Sequence, residues 1–246
     1  MSEAAQERIT AYWSAYAAVY DASQVERQER PGAHDVWARV WSAALPATTA
    51  DVLDFGTGSG NVALLLAKLG YRVTGVDLAE GMLAEARRKG EAVPNAPLFV
   101  TADAVNPPFA AGSLDALTAR YVLWTLRDPS VALRNWFELL RPGGVLVAVD
   151  SLWYPGGVRA AHDHVGATDR DREFRLAYDD RALRFLPLAE ATDIRRTADL
   201  LEAAGFTGVE IAELPEVMEL DRCYGVAPGH RVRMQYRISA RRPLAS

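Results

Sequence analysis

The chain has 246 residues, half of them hydrophobic, with 27 basic against 32 acidic side chains and a formal charge of −5. That length suits one α/β domain carrying a cap, and the acidic balance, present both before and after residue 150, argues against a nucleic-acid partner, whose enzymes carry a basic footprint. The sequence lacks a membrane-length apolar run and a signal-peptide core, and its single cysteine, Cys223, excludes an internal disulfide or a cysteine-based zinc site, so a cytoplasmic protein without a membrane partner is expected.

In chain order, ITAYWSAYAAVYD (9–21) sets Tyr12, Tyr16 and Tyr20 four residues apart, on one face of a helix. The polar run ASQVERQERPGAH (22–34) reads as a connecting loop, and HDVWARVWSAAL (34–45) as a second helix. Then comes VLDFGTGSGN (52–61): an apolar strand ending in Asp54, a turn with Gly56, Thr57, Gly58 and Gly60, and a helix-forming run. Strand, glycine turn and helix N-terminus make a nucleotide-type pocket, because the backbone approaches a ligand closely there. A dinucleotide turn, GxGxxG, needs its third glycine at position 61, which is Asn61. The acid beside the turn suits a ligand with an amino group better than a pyrophosphate.

YRVTGVD (71–77) reads as a second buried strand. Asp77 at its end is either the carboxylate that takes ribose hydroxyls or a cap for the helix after it; Leu78 and Met82 offer an apolar face. PLFVTAD (97–103) is a third strand, ending at Asp103 and Ala104. NPPF (106–109) matches a signature of amino-group methyltransferases, but a further strand follows it, so it reads as a loop. That fourth strand, SLDALTARYVLW (113–124), carries Arg120, Tyr121 and Trp124 at its exit. A helix, DPSVALRNWFELL (128–140), follows, and RPGG (141–144) turns into a fifth strand, VLVAVD (145–150).

This succession over residues 52–150 resembles the class I S-adenosylmethionine-dependent methyltransferases of the small-molecule type, among which a tailoring enzyme of secondary metabolism and a quinone or sterol C-methyltransferase-like enzyme both fit. The resemblance implies a Rossmann-like, mostly parallel seven-stranded α/β sheet with an antiparallel last strand, and S-adenosylmethionine as cofactor. It assigns the cofactor to Tyr16, Tyr20, Asp54, Gly56, Thr57, Gly58, Gly60, Asp77, Leu78, Met82, Asp103, Ala104, Arg120 and Tyr121. It also makes the first helix a lid, against the plainer reading of a helix packed on the core.

One domain is therefore expected: a helical lid over 1–45, a cofactor core over 50–150, a substrate cap over 151–190, and a closing helix with two strands over 191–246. Trp153 and Tyr154 follow strand five directly and, with Trp124, are expected to meet substrate. The alternating charges of 170–184 read as a solvated, salt-bridged helix. His162 and His164 are weak candidates for a general base, as is Tyr16 for a catalytic part, and no metal is expected. VEIAEL (209–214) and HRVRMQYRIS (230–239) read as the last strands, with 215–229 a loop near substrate. The expected activity is methyl transfer to an O, N or C atom of a small organic acceptor. A nicotinamide oxidoreductase is the alternative, disfavoured because Lys68 and Lys89, the only lysines, form no Tyr-x-x-x-Lys. A non-catalytic S-adenosylmethionine-binding subunit is the third reading.

Overall fold

The computed structural model describes residues 3–46, 51–158, 169–226 and 231–245. Its centre is a seven-stranded sheet of order β3-β2-β1-β4-β5-β7-β6. The strands are β1 (Asp51–Phe55), β2 (Arg72–Asp77), β3 (Leu98–Thr101), β4 (Leu114–Arg120), β5 (Leu140–Ser151), β6 (Thr207–Glu213) and β7 (Gln235–Arg241). The first five are parallel, and β7 runs antiparallel between β5 and β6. The expected architecture, including the reversed last strand, is the observed one.

Both faces of the sheet are covered, which is why its central strands bury side chains on both sides, almost all of them apolar, rather than alternating buried with exposed. On one face Leu53, Phe55, Leu117 and Leu146 pack against Leu133 and Trp136 of α5 (Pro129–Leu139) and Leu201 of α8 (Arg195–Ala203). The Phe55 and Trp136 rings stack there at 4.1 Å. On the other, Val52, Val73 and Val147 meet Trp41 of α2 (Ala33–Ser42), Leu66 of α3 (Asn61–Lys68) and Val217 of α9 (Pro215–Tyr224).

Four local expectations need correction. Helix α1 spans Glu3–Gln28, so 22–28 is helix rather than loop. SQVERQ contains no breaker, and the chain turns only at Pro31-Gly32, where Gly32 has φ +77°. RPGG lies inside β5 rather than ahead of it, as an irregular start with a register shift against β4 between Leu114 and Ala116. Residues 215–224 form α9 rather than a loop, with Pro215 at a helix start, where its missing N–H costs nothing. The charged stretch forms α6 (Asp169–Ala177) and α7 (Asp180–Leu183), but only one side of α6 is solvated: Phe174 and Ala177 are buried.

Helix α1 crosses α4 (Glu80–Gly90) at Gly81, where any Cβ would lie 2.3 Å from the carbonyl oxygen of Ser14. A buried ion pair holds the crossing: Asp21, 3% exposed, accepts from Lys89 Nζ at 2.5 Å and from Arg88 at 3.1 Å. Lys89 also donates to Asn61 at 3.0 Å. Among the described residues, no helix is long and apolar enough to cross a membrane.

Candidate active site

The parallel strands end on a large cleft of about 590 Å³. It opens where strand order reverses between β1 and β4, the place where open α/β sheets bind ligands. α1 and α6 lie over it.

The floor is the glycine turn. Gly56 has φ +55°, and a Cβ there would fall 1.8 Å from Val122 Cγ2; only glycine lets β1 pass so close to the β4 exit. At Gly58 the space is open, with no neighbour nearer than 3.9 Å to a built Cβ. The Gly58 N–H donates to Asp77 Oδ2 at 2.9 Å, and the Ala79 N–H to Asp77 Oδ1 at 2.9 Å. Burial raises the Asp77 pKa, and these backbone donors oppose the rise. Each carboxylate oxygen still has capacity to accept a second hydrogen bond, so capping and ligand binding are compatible at Asp77.

Asp54, Thr57 and Gly60 do not line the cleft. Asp54 is 1% exposed and accepts from Thr57 Oγ1 at 2.7 Å and Thr118 Oγ1 at 2.8 Å. It thus braces the turn against β4 from behind. Burial pushes its pKa up to about 6 despite the two hydroxyls. Gly60 instead allows close packing: a Cβ would press on Ala86 at 2.9 Å and Phe99 at 3.0 Å.

The remaining sequence-derived cofactor positions line the cleft: Tyr16, Tyr20, Leu78, Met82, Asp103, Ala104, Arg120 and Tyr121. Asp103 accepts from the Val105 N–H at 2.9 Å and pairs with Arg127, which Gln6 of α1 also holds at 2.9 Å. Arg120 donates to Gln24 at 3.0 Å and lies 5.0 Å from the ring centres of Trp37 and Tyr121. Tyr121 itself has φ +60°, an outlier for a bulky residue. That kink aims its ring at Trp153, edge to face at 5.0 Å, and its hydroxyl at Gln235. Burial pushes the Tyr121 phenol up to about 12.

Aromatic rings wall the other end. Trp124, Trp153 and Tyr154, expected near substrate, line the cleft together with Tyr12, Trp13 and Phe174. Behind them the buried Tyr178 stacks on Phe174 at 4.5 Å, accepts from Trp13 Nε1 at 2.8 Å and meets Thr125 at 2.9 Å. Asp150, near the end of β5, accepts from Trp153 Nε1 at 2.6 Å, which fixes that ring, and from the backbone N–H of Trp124 at 3.3 Å, which ties down the chain at the β4 exit. Its burial pushes its pKa up to about 6.

His162 and His164 lie outside the described residues, so the general-base reading has no geometry here. Asn106 of NPPF is exposed and does not line the cleft. Sequence reasoning missed Arg127, Phe174 and the arginines Arg170, Arg231 and Arg233, all of which line the cleft. Charge alternation predicts a solvated helix over 170–184 but carries no sign of which side turns inward.

A methyltransferase-domain family model matches residues 53–148. A demethylmenaquinone methyltransferase of Thermus thermophilus is 39% identical over 114 residues, 46% of this chain and 52% of that one. A demethylmenaquinone methyltransferase of Clavibacter sepedonicus is 30% identical over 209 residues, covering 83% of this chain and 82% of the relative. Across the first curated relatives it matches, the chain spans about half to two-thirds of their length (52%, 64% and 48%). Among solved structures, a Thermotoga maritima S-adenosylmethionine-dependent methyltransferase, described as a possible histamine N-methyltransferase, superposes with a TM-score of 0.60. Its identity is 18%, with 94% of this chain and 98% of that one covered, a likeness that bears on the fold alone.

Proposed function

Because the chain belongs to the class I S-adenosylmethionine-dependent methyltransferase family, we propose that it moves a methyl group from S-adenosylmethionine to an O, N or C atom of a small, ring-bearing acceptor. The cleft residues fit that cofactor. Gly58 leaves room for a ligand against the backbone, and Asp77 presents an acceptor-only carboxylate for ribose hydroxyls. Leu78 and Met82 give an apolar face for a base, with Asp103 and Ala104 beside it. When bound, the cofactor supplies an electrophilic methyl on a sulfonium.

The chain's own part is alignment and exclusion of water. Tyr20 offers a ring face to a cation, worth roughly 0.5–2 kcal/mol, beside Tyr16 and Tyr121, whose rings carry Arg170 and Arg120. Holding the two reactants in line is worth roughly 7–11 kcal/mol of the barrier. Helix α1 closes the cleft and is tied down by Asp21, which keeps water out. The single observation that carries the reading is the shared cleft, with Gly58 and Asp77 at one end and an aromatic box at the other. A planar ring suits that box, and the relatives named for demethylmenaquinone act on such a ring.

The test is incubation with S-adenosylmethionine and reduced or hydroxylated naphthalenes, scored by mass for one added methyl group. Methylated product together with S-adenosylhomocysteine supports the reading. Cofactor binding without product across a broad panel of ring acceptors favours a non-catalytic binding protein. Binding of NAD in place of S-adenosylmethionine overturns the cofactor assignment.

A further inference from the structure

Formal charge is unevenly placed in this acidic chain. At the aromatic end of the cleft, three guanidiniums converge from two distant segments, Arg170 on α6 and Arg231 and Arg233 just ahead of β7. Arg231 and Arg233 stand two residues apart in the irregular segment that leads into β7, close enough for the charge of Arg231 to act on Arg233. Arg170 lies 4.1 Å over the Tyr16 ring. Arg233 donates to the carbonyl oxygen of Leu152 at 3.2 Å. Among the described residues none of the three pairs with a carboxylate, whereas Arg27 and Arg127 of the same cleft pair with Asp221 and Asp103. Asp171 also lines the cleft and is not free; set against three guanidiniums, it still leaves an excess of positive charge.

The three act on common ground. Burial drives the Tyr154 phenol up, and both Arg233 and Arg170 pull against that rise, so both fields reach one hydroxyl. Burial and the neighbouring Arg231 lower the pKa of Arg233. Massing like charge beside a partly buried aromatic wall is unfavourable without a compensating anion. The proposed cofactor adds to the imbalance, since its sulfonium and ammonium outnumber its one carboxylate.

Resting on the methyltransferase reading above, we propose that the acceptor is an aromatic compound bearing an anionic substituent, with its ring in the aromatic box and its anion on Arg170, Arg231 and Arg233. A guanidinium fork matches a carboxylate in shape and charge. The same arginines reject amine acceptors by like-charge repulsion.

Three probes of similar size separate the cases: 1-hydroxy-2-naphthoate, 1-naphthol and 1-naphthylmethylamine. Each is titrated calorimetrically into the full chain saturated with S-adenosylhomocysteine. The naphthoate is expected to bind about 10- to 100-fold more tightly than the naphthol, and the amine most weakly. Arg170→Gln and Arg231→Gln should each erase most of that preference while leaving naphthol and S-adenosylhomocysteine affinities in place. Arg233→Lys, which keeps the charge, should retain much of it, and thermal melting verifies that each variant is folded. Equal binding of naphthoate and naphthol, tightest binding of the amine, no binding of any probe, or arginine variants that weaken all probes alike overturns the proposal. Failure of S-adenosylhomocysteine to bind strikes the methyltransferase reading instead, and the three probes are then compared on the ligand-free chain.

Discussion

The two ends of the cleft are built from different materials. The end at β1–β3 is made of backbone and short side chains: Gly56 and Gly58, the N–H groups that fix Asp77, and Asp54 bracing the turn from behind. The end at α1, α6 and the β7 approach is made of large side chains from segments far apart in sequence, among them Tyr12, Tyr154, Phe174 and Arg233. A backbone cradle tolerates almost no substitution and specifies one kind of ligand. A side-chain box can be repacked, so one fold serves many acceptors.

Four substitutions probe that contrast. Gly56→Ala strikes the backbone end. Its methyl would sit 1.8 Å from Val122 Cγ2 at φ +55°, and overpacking together with backbone strain should cost about 4 kcal/mol in denaturant unfolding. Adding Val122→Ala should recover the packing part only. Wild-type stability in Gly56→Ala alone would show that the turn is not as confined as described.

Asp21→Ala tests what holds α1 to α4. It leaves Lys89 largely buried without its carboxylate, at a cost of about 3 kcal/mol. Restored stability in Asp21→Ala/Lys89→Met would assign the loss to the stranded charge. An unchanged melting curve in the single variant would mean that α1 is held by packing alone.

Phe174→Leu strikes the side-chain end. It removes a ring stacked on Tyr178, so affinity for a ring probe such as 1-naphthol should fall about 2- to 10-fold. Affinity for S-adenosylhomocysteine should stay within twofold. Equal loss for both ligands would mean that the two ends are not separate.

The smallest expected effect is one of pH. The folded-state pKa of Asp54, about 6, lies above its ordinary 3.8. The folded chain therefore holds this proton more tightly than the unfolded one. The resulting stabilisation is full below the unfolded value and is lost as pH rises through about 6. Between pH 7 and pH 5 this group should add about 1 kcal/mol of stability, and Asp54→Asn should lack that increment while keeping both hydroxyl contacts. Parallel pH profiles for the two proteins would remove Asp54 as its source.

The same contrast explains what was legible in the sequence. The glycine turn and the succession of strands along the chain could be read because backbone geometry dictates residue type locally: a close approach demands glycine. Tyr12, Tyr16 and Tyr20 announced a helix face, but not that Tyr12 packs edge to face on Phe174, 162 positions later. Arg170 looked like part of a solvated helix because charge alternation describes a face without saying what the fold sets against it. Sequence places Asp54 beside the ligand because it adjoins the turn; its position behind the turn depends on Thr118 of β4, 64 positions away. The helical continuation through residues 22–28 was hidden by polar composition, which suits an exposed helix as well as a loop.

The central claim is that the backbone end of the cleft holds S-adenosylmethionine with Asp77 on the ribose. Calorimetric titration of the chain with S-adenosylhomocysteine, against Asp77→Ala and with NAD as the competing ligand, tests it most directly. The account predicts saturable binding of S-adenosylhomocysteine, weakened about 10- to 100-fold in the variant, as expected for losing hydrogen bonds to a charged group, with NAD silent. Binding of NAD alone, or S-adenosylhomocysteine bound equally well by folded Asp77→Ala, would contradict it.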